Sequence, residues 1–335
     1  MLPRARLRPA PLAVTLAVLA ASLAAGLLAG AIALPPGAVL RAVAGLPSGL
    51  SEMEQALVLE LRLPRVLLGA LVGGLLALAG AGYQGVLRNP LADPYLLGSA
   101  AGAGLGATLV ILYVPIAPWL GVPVAAFAGA LGGVALAYAL GRAAGPGTGT
   151  LILAGVAVSS FLSAVQTFLQ QSRIDDLHRV YSWILGGLSG ASWQTLAMIA
   201  PYALLSTVVL LLHGRLLDVL AVGDDEASAL GVNAGQVRFL VLAAASLATA
   251  SAVAVSGLIG FVGIVVPHLV RLLAGGSFRV VLPLSFLGGA AFLVLADLLA
   301  RTVVAPGELP LGVVTAFVGA PFFLAVLRSS RGRSG

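Results

Sequence analysis

Side chains able to do covalent or metal chemistry are scarce in this 335-residue sequence. Its three histidines, His178, His213 and His268, stand far apart, without the close spacing of metal ligands. Cysteine is absent and all eighteen basic residues are arginine, which excludes thiol chemistry, disulfides and lysine Schiff bases. No Gly-x-Ser-x-Gly turn offers a nucleophilic serine. A Walker A loop needs lysine at the nucleotide phosphates, so any ATP hydrolysis tied to this chain belongs to a separate subunit. The expectation is a protein with no catalytic residue, no metal and no covalently held cofactor.

What recurs with regular spacing is uncharged polarity. Ser159, Ser163, Gln166 and Gln170 follow one another at intervals of four, three and four, with Thr167 beside them, and helical geometry puts the four on one face. Such groups in a membrane helix face protein or a watery path; serine also serves as helix-packing glue. The stripe holds no His, Tyr or Met.

Membrane helices must carry this stripe. Hydrophobic residues make up 60% of the chain and charged residues 9%, against about a quarter charged in soluble domains. Ten apolar stretches, near the roughly 20 residues that cross a bilayer, are read at 11–34, 63–87, 95–115, 117–140, 150–169, 193–213, 237–256, 258–274, 280–300 and 310–327. The block 237–274 is too long for one untilted helix and is divided at Gly257, Gly260, Gly263 and Pro267. The first run follows Arg4, Arg6 and Arg8 but exceeds a signal-peptide core, so it is read as a retained helix. With the N-terminus inside, arginines 4, 6, 8, 88, 142, 215, 238, 271, 279, 328, 331 and 333 lie inside and 41, 62, 65, 173, 179 and 301 outside. That bias obeys the positive-inside rule and makes both termini cytoplasmic. A single membrane domain fills 1–335. Glycines four apart, Gly69 and Gly73, Gly98, Gly102 and Gly106, and Gly129 and Gly133, let helix backbones approach closely. Residues 173–193, with Trp183 and Trp193, read as a short helix lying on the outer surface.

An ordered series of motifs punctuates the spans: Leu61-Arg62-Leu63-Pro64-Arg65, then Arg88-Asn89-Pro90-Leu91-Ala92-Asp93-Pro94, Gly223-Asp224-Asp225-Glu226-Ala227 with Leu230-Gly231-Val232, Gly257-Leu258-Ile259-Gly260-Phe261-Val262-Gly263 with Pro267-His268 and Arg271, Glu308-Leu309-Pro310-Leu311-Gly312, and Gly319-Ala320-Pro321. Over nearly the whole chain this series resembles the FecCD family of ABC permeases, which includes cobalamin, ferric-siderophore and haem importers. The resemblance implies an all-α type II ABC importer permease with about ten transmembrane helices in the inner (cytoplasmic) membrane. It also implies a second permease subunit, expected as a homodimer, two ATPase subunits that use ATP inside, and a solute-binding protein outside. The lipid bilayer is the remaining partner, and nucleic acid is not one.

The resemblance also distributes roles. In the polar loop 214–236, Asp224, Asp225 and Glu226 open a short helix that Gly231 closes. By resemblance Gly223, Asp224, Asp225, Glu226, Ala227, Leu230 and Gly231 couple to the ATPase. Arg62, Arg65 and Arg301, on the outer side against the charge bias, correspond to arginines that meet glutamates of the binding protein; anchoring to lipid phosphate is the alternative. The stripe of Ser159, Ser163, Gln166, Thr167 and Gln170 corresponds to the translocation path. Asn89, Leu91, Thr148 and Thr150 correspond to the inner gate, although Gly149 departs from a polar pair there. His268 reads as structural. Two rivals stand beside this reading. A secondary transporter of a small solute would need an embedded ionisable residue, and Asp297 is its one candidate. A purely structural membrane protein leaves the stripe and the inner loop unexplained.

Overall fold

The computed structural model describes residues 8–30, 32–114, 118–145, 147–305 and 307–331. Arg4, Arg6 and Arg333 of the charge balance lie outside the described residues. Those described form helices and no strand: α1 (Pro9–Leu28), α2 (Pro36–Val43), α3 (Glu52–Ala56), α4 (Leu63–Leu87), α5 (Ser99–Tyr113), α6 (Pro118–Ala144), α7 (Thr148–Gln171), α8 (Leu177–Ile184), α9 (Trp193–Leu212), α10 (Gly214–Leu220), α11 (Asp224–Ala229), α12 (Ala234–Ser256), α13 (Val262–Ala274), α14 (Phe278–Thr302) and α15 (Leu311–Arg331). Each of the ten expected spans falls on one of them. Seven described helices are long and apolar enough to cross a membrane, and α5, α13 and Leu311–Leu324 of α15 are shorter apolar helices. The short helix expected on the outer surface within 173–193 falls on α8, and the divided block breaks between Gly257 at φ 65° and Phe261 at φ 69°.

The largest boundary difference is in the second span. The second span begins eleven residues earlier, because α3 runs through the π-helical turn Leu57–Arg62 into α4. Its start was written in the sequence as a capping box: Ser51 Oγ accepts the Glu54 amide at 3.4 Å while the Glu54 carboxylate accepts the Ser51 amide at 2.9 Å. The motif 61–65 therefore lies inside a helix. The wide turn leaves room for Pro64, which has no N–H to give and crowds a regular preceding turn.

Helix α4 is the axis of the molecule, buried along most of its length and packed on α12, α13 and α14. Its glycines explain how. A Cβ on Gly73 would overlap the Gly289 carbonyl of α14, and one on Gly80 would overlap the Gly263 carbonyl of α13. In the α5–α6 pair Gly98 meets Gly133, Gly102 meets Gly129, and Gly106 meets Ala125, backbone on backbone. Without water to expel between membrane helices, such close van der Waals packing is the main attraction available. Helix α7 is the opposite case. It leans on α5 and α6 but exposes Leu153, Val156, Phe161 and Phe168.

Candidate functional site

The loop 214–236, expected on the inner side, folds as two short anchored helices. In α10, Asp218 accepts from Ser277 Oγ at 2.7 Å, from the Phe278 amide at 2.6 Å and from Arg279 Nε at 3.3 Å. A carboxylate thus sits at the N-terminus of α14, where the helix dipole favours it. Helix α11 starts after Gly223 with Asp224, Asp225 and Glu226 in its first turn. It ends in a Schellman closure: the Val232 amide donates to Ala227 O at 2.9 Å and the Gly231 amide to Ser228 O at 2.9 Å, with Gly231 at φ 75°. Asp224 pairs with Arg88 and, at 2.5 Å, with Arg238, and these two arginines hold its carboxyl below the usual range, Arg238 foremost. Ala227 is buried underneath, while Leu230 is 65% exposed. An exposed leucine on a capped, doubly tethered helix is a rigid apolar knob.

The residues expected at an inner gate lie in two separate loops. Asn89 closes an Asx turn by accepting the Leu91 amide at 3.0 Å, and Leu91 is exposed. Thr150 Oγ1 donates to the carbonyls of Gly145 and Gly147, at 3.0 and 2.9 Å, and so fixes the turn that starts α7. Thr148 lines an inner cavity of about 680 Å³ together with Arg142, Asn233, Gln236 and Arg238, but Asn89 and Leu91 do not. In the loop that follows Leu91, Asp93 is pushed up to about 6 by burial, against a hydrogen bond from the Tyr95 amide that favours the charged form.

The structure divides the stripe on α7. Ser163 and Thr167 are exposed, and Ser159 and Gln170 are half-buried. Gln166 turns inward, packs over Gly104 of α5 and donates to Thr108 Oγ1 at 3.1 Å. Part of the stripe is therefore interhelical glue, and Ser163 and Thr167 present its open side.

Arg62, Arg65 and Arg301, expected on the outer side, are drawn into the protein. Arg62 is 5% exposed and donates to the carbonyls of Leu27, at 3.2 Å, and Ile32. Arg65 binds Asp297 at 2.8 Å and Glu308 at 2.8 and 2.9 Å. Arg301 lies 3.4 Å from Asp297 and donates to Gly26 O at 2.5 Å. The cluster braces α1, α4, α14 and the loop before α15. Arg65 and Arg301 pair with the two carboxylates while Arg62 binds carbonyls, so these five side chains leave one positive charge in excess. Asp297 and Glu308, 232 and 243 residues from Arg65 along the chain, were legible as acids but not as partners of these arginines. His268, expected to be structural, stacks edge-on against Phe322 at 5.7 Å.

Residues 17–329 match the model of the FecCD transport family. The chain belongs to the FecCD transport family. Among related permeases, YvrB of Bacillus subtilis (strain 168), an ABC transporter permease, is 46% identical over 84% of this chain and 81% of its own length. The cobalamin import permease BtuC of Halobacterium salinarum is 43% identical over 89% and 80%, and the hemin transport permease HmuU of Yersinia pestis is 42% identical over 83% and 85%. A solved ABC transporter described as of the metal-chelate type, in an inward-facing conformation, superposes with a TM-score of 0.86 at 30% identity, covering 96% of this chain and all of that one. This family member is accordingly a multi-pass membrane permease subunit of an ABC import system.

Proposed function

We propose that the chain carries an intact metal chelate, an iron–siderophore, haem or cobalamin, inward across the inner membrane. Two copies enclose the path with their α7 faces, two separate ATPase subunits dock on the α11 knobs from the cytoplasm, and a solute-binding protein delivers cargo from outside. Both termini are cytoplasmic. The observation that carries this reading is Leu230, exposed on a helix tethered by Asp224 and capped by Gly231. Such a rigid knob suits transfer of force between subunits. The cargo class is supported by the relatives' cobalamin and hemin transport and by the absence of iron-ligating side chains from the α7 stripe. A secondary transporter loses its carrier candidate, since Asp297 is 2% exposed and paired with Arg65 and Arg301.

The outer arginines contribute to docking, in this reading, through the net positive corner they leave, which favours an acidic partner and steers its approach. Purifying the chain with its ATPase and binding protein, and measuring ATP-driven uptake of ferric siderophore, haem and cobalamin into vesicles, tests the proposal. No ATP-dependent uptake of any of the three would overturn the cargo class. Orientation is read by single cysteines replacing Arg142, Ser228 and His178, the only thiols in each variant. An impermeant maleimide should label position 178 alone in intact cells, and labelling at 228 would reverse the topology.

A further inference from the structure

The coupling helix and the gate loop meet at a residue outside both assignments. Arg88 ends α4 at φ 49°, ψ 36°, the left-handed region that residues other than glycine seldom occupy. Its backbone turns directly into Asn89, whose amide donates to Gln84 O at 3.2 Å and whose carbonyl accepts the Ala92 amide at 3.1 Å. Its side chain runs the other way. Nε donates to Leu220 O, the last carbonyl of α10, at 2.8 Å, and Nη2 pairs with Asp224 in the first turn of α11. Behind the loop stands Gln84, 2% exposed, whose Nε2 donates to Ala92 O at 3.2 Å and to Gly263 O at 2.9 Å while its Oε1 accepts from Arg271 Nη1 at 2.6 Å.

We propose that Arg88 is a positioning residue that carries displacement of α11 into the gate loop 88–92, with Gln84 as the fixed point that ties this loop to α13. The inference rests on the coupling role proposed above for α11 and on the inner-gate role that the family resemblance implies for Asn89 and Leu91. Its physical basis is the contrast in stiffness. Helix α4 is locked backbone to backbone on α13 and α14 at Gly80 and Gly73 and cannot slide, whereas its final residue sits in a turn held by hydrogen bonds on both sides. Force entering through Asp224 therefore meets the Arg88 turn before anything else on α4. Arg238 shares Asp224 but stands in the regular first turns of α12, so it steadies α11 without reaching the loop.

The chain has no cysteine, so Ser228→Cys with Leu91→Cys, diluted with an excess of the cysteine-free parent so that a labelled dimer carries one labelled copy, gives a single nitroxide pair on the full-length permease in lipid nanodiscs. The expected result is one narrow distance distribution that broadens in Arg88→Gln, recovers in Arg88→Lys and stays narrow in Arg238→Gln. A control pair at Leu136→Cys and Leu204→Cys, on α6 and α9, verifies that each variant is folded. An Arg88→Gln distribution that overlays the parent, or equal broadening in Arg238→Gln, overturns the proposal. The second measurement is the maleimide reaction rate at Leu91→Cys, with and without the bound ATPase subunit. Binding should change that rate about fivefold or more, the scale of ordinary site-to-site coupling. Arg88→Gln should abolish the change while the ATPase still co-purifies, and persistence of the change refutes the role. Should no ATPase bind the parent chain, the coupling assignment falls instead, and the nitroxide pair still decides whether Arg88 ties loop to helix.

Discussion

Arg65 and Glu308 face each other through two parallel hydrogen bonds, Nη1 to Oε1 at 2.8 Å and Nη2 to Oε2 at 2.9 Å. The same guanidinium holds Asp297 on its inner side. The two carboxylates are unequal, since the Glu308 side chain is 44% exposed and that of Asp297 3%. Removing one partner of a buried pair costs about 3–5 kcal/mol, because the other charge is left uncompensated. An exposed pair contributes about 0–1 kcal/mol. Arg65→Gln should therefore lower the thermal midpoint of the detergent-solubilised chain far more than Glu308→Gln does. Equal midpoints for the two variants would show that the cluster does not brace the helices.

Two acidic residues in loops should shift stability with pH in opposite directions. Arg65 holds Glu308 below the usual glutamate range, chiefly through its hydrogen bonds. Its contribution is present above the unfolded pKa and is lost as pH falls through the lower folded value. Asp93 is raised to about 6, so its carboxyl favours folding while protonated, and that benefit disappears as pH climbs from the unfolded value through about 6. Thermal melts should show Asp93→Asn gaining on the parent between pH 4 and pH 7, on the order of the shift itself. They should also show Glu308→Gln flattening the acid limb. A parent-like profile in both variants would remove these groups from the pH response.

Glycine packing gives a contrast within one helix. A Cβ at Gly129 would overlap the Gly102 carbonyl, whereas one at Gly132 meets nothing within 4 Å. Gly129→Ala should destabilise by about 1–3 kcal/mol through overpacking. Gly132→Ala should be neutral or stabilise by up to about 1 kcal/mol from helix propensity. Denaturation of the two variants in mixed micelles reads the difference, and similar losses would deny the close α5–α6 contact.

What the sequence disclosed and what it hid follow from the range of the interactions. The apolar spans, the acid-rich start of α11 and the glycine closing it are local signals of composition and capping, and all were visible. The start at Ser51 is a local signal too, a capping box in the polar stretch before the apolar run. The fate of Arg62, Arg65 and Arg301 was not legible. Guanidinium groups near a membrane surface look alike whether they wait for a partner or bind carbonyls and carboxylates of α1 and α14, and only the packing of α1, α4 and α14 decides. Gln166 is a similar case: its spacing assigned it a face, and the opening left by Gly104 and Thr108 on α5 determined what that face touches.

The last prediction returns to the inner knob. Leu230 is 65% exposed and closes α11 as its C-cap, so replacing it by aspartate disturbs no packing within the chain. On an isolated permease such a surface change should stay within about 0.5 kcal/mol. If the ATPase receives this side chain in a desolvated pocket, the same aspartate buries an unpaired charge and costs several kcal/mol at the interface. Leu230→Asp should thus melt like the parent and insert normally, yet lose ATPase co-purification and ATP-driven uptake together. Because the chain's own stability is expected to be unchanged, that loss cannot come from misfolding. Retained ATPase binding with full uptake would show that α11 is not the contact through which the permease is driven.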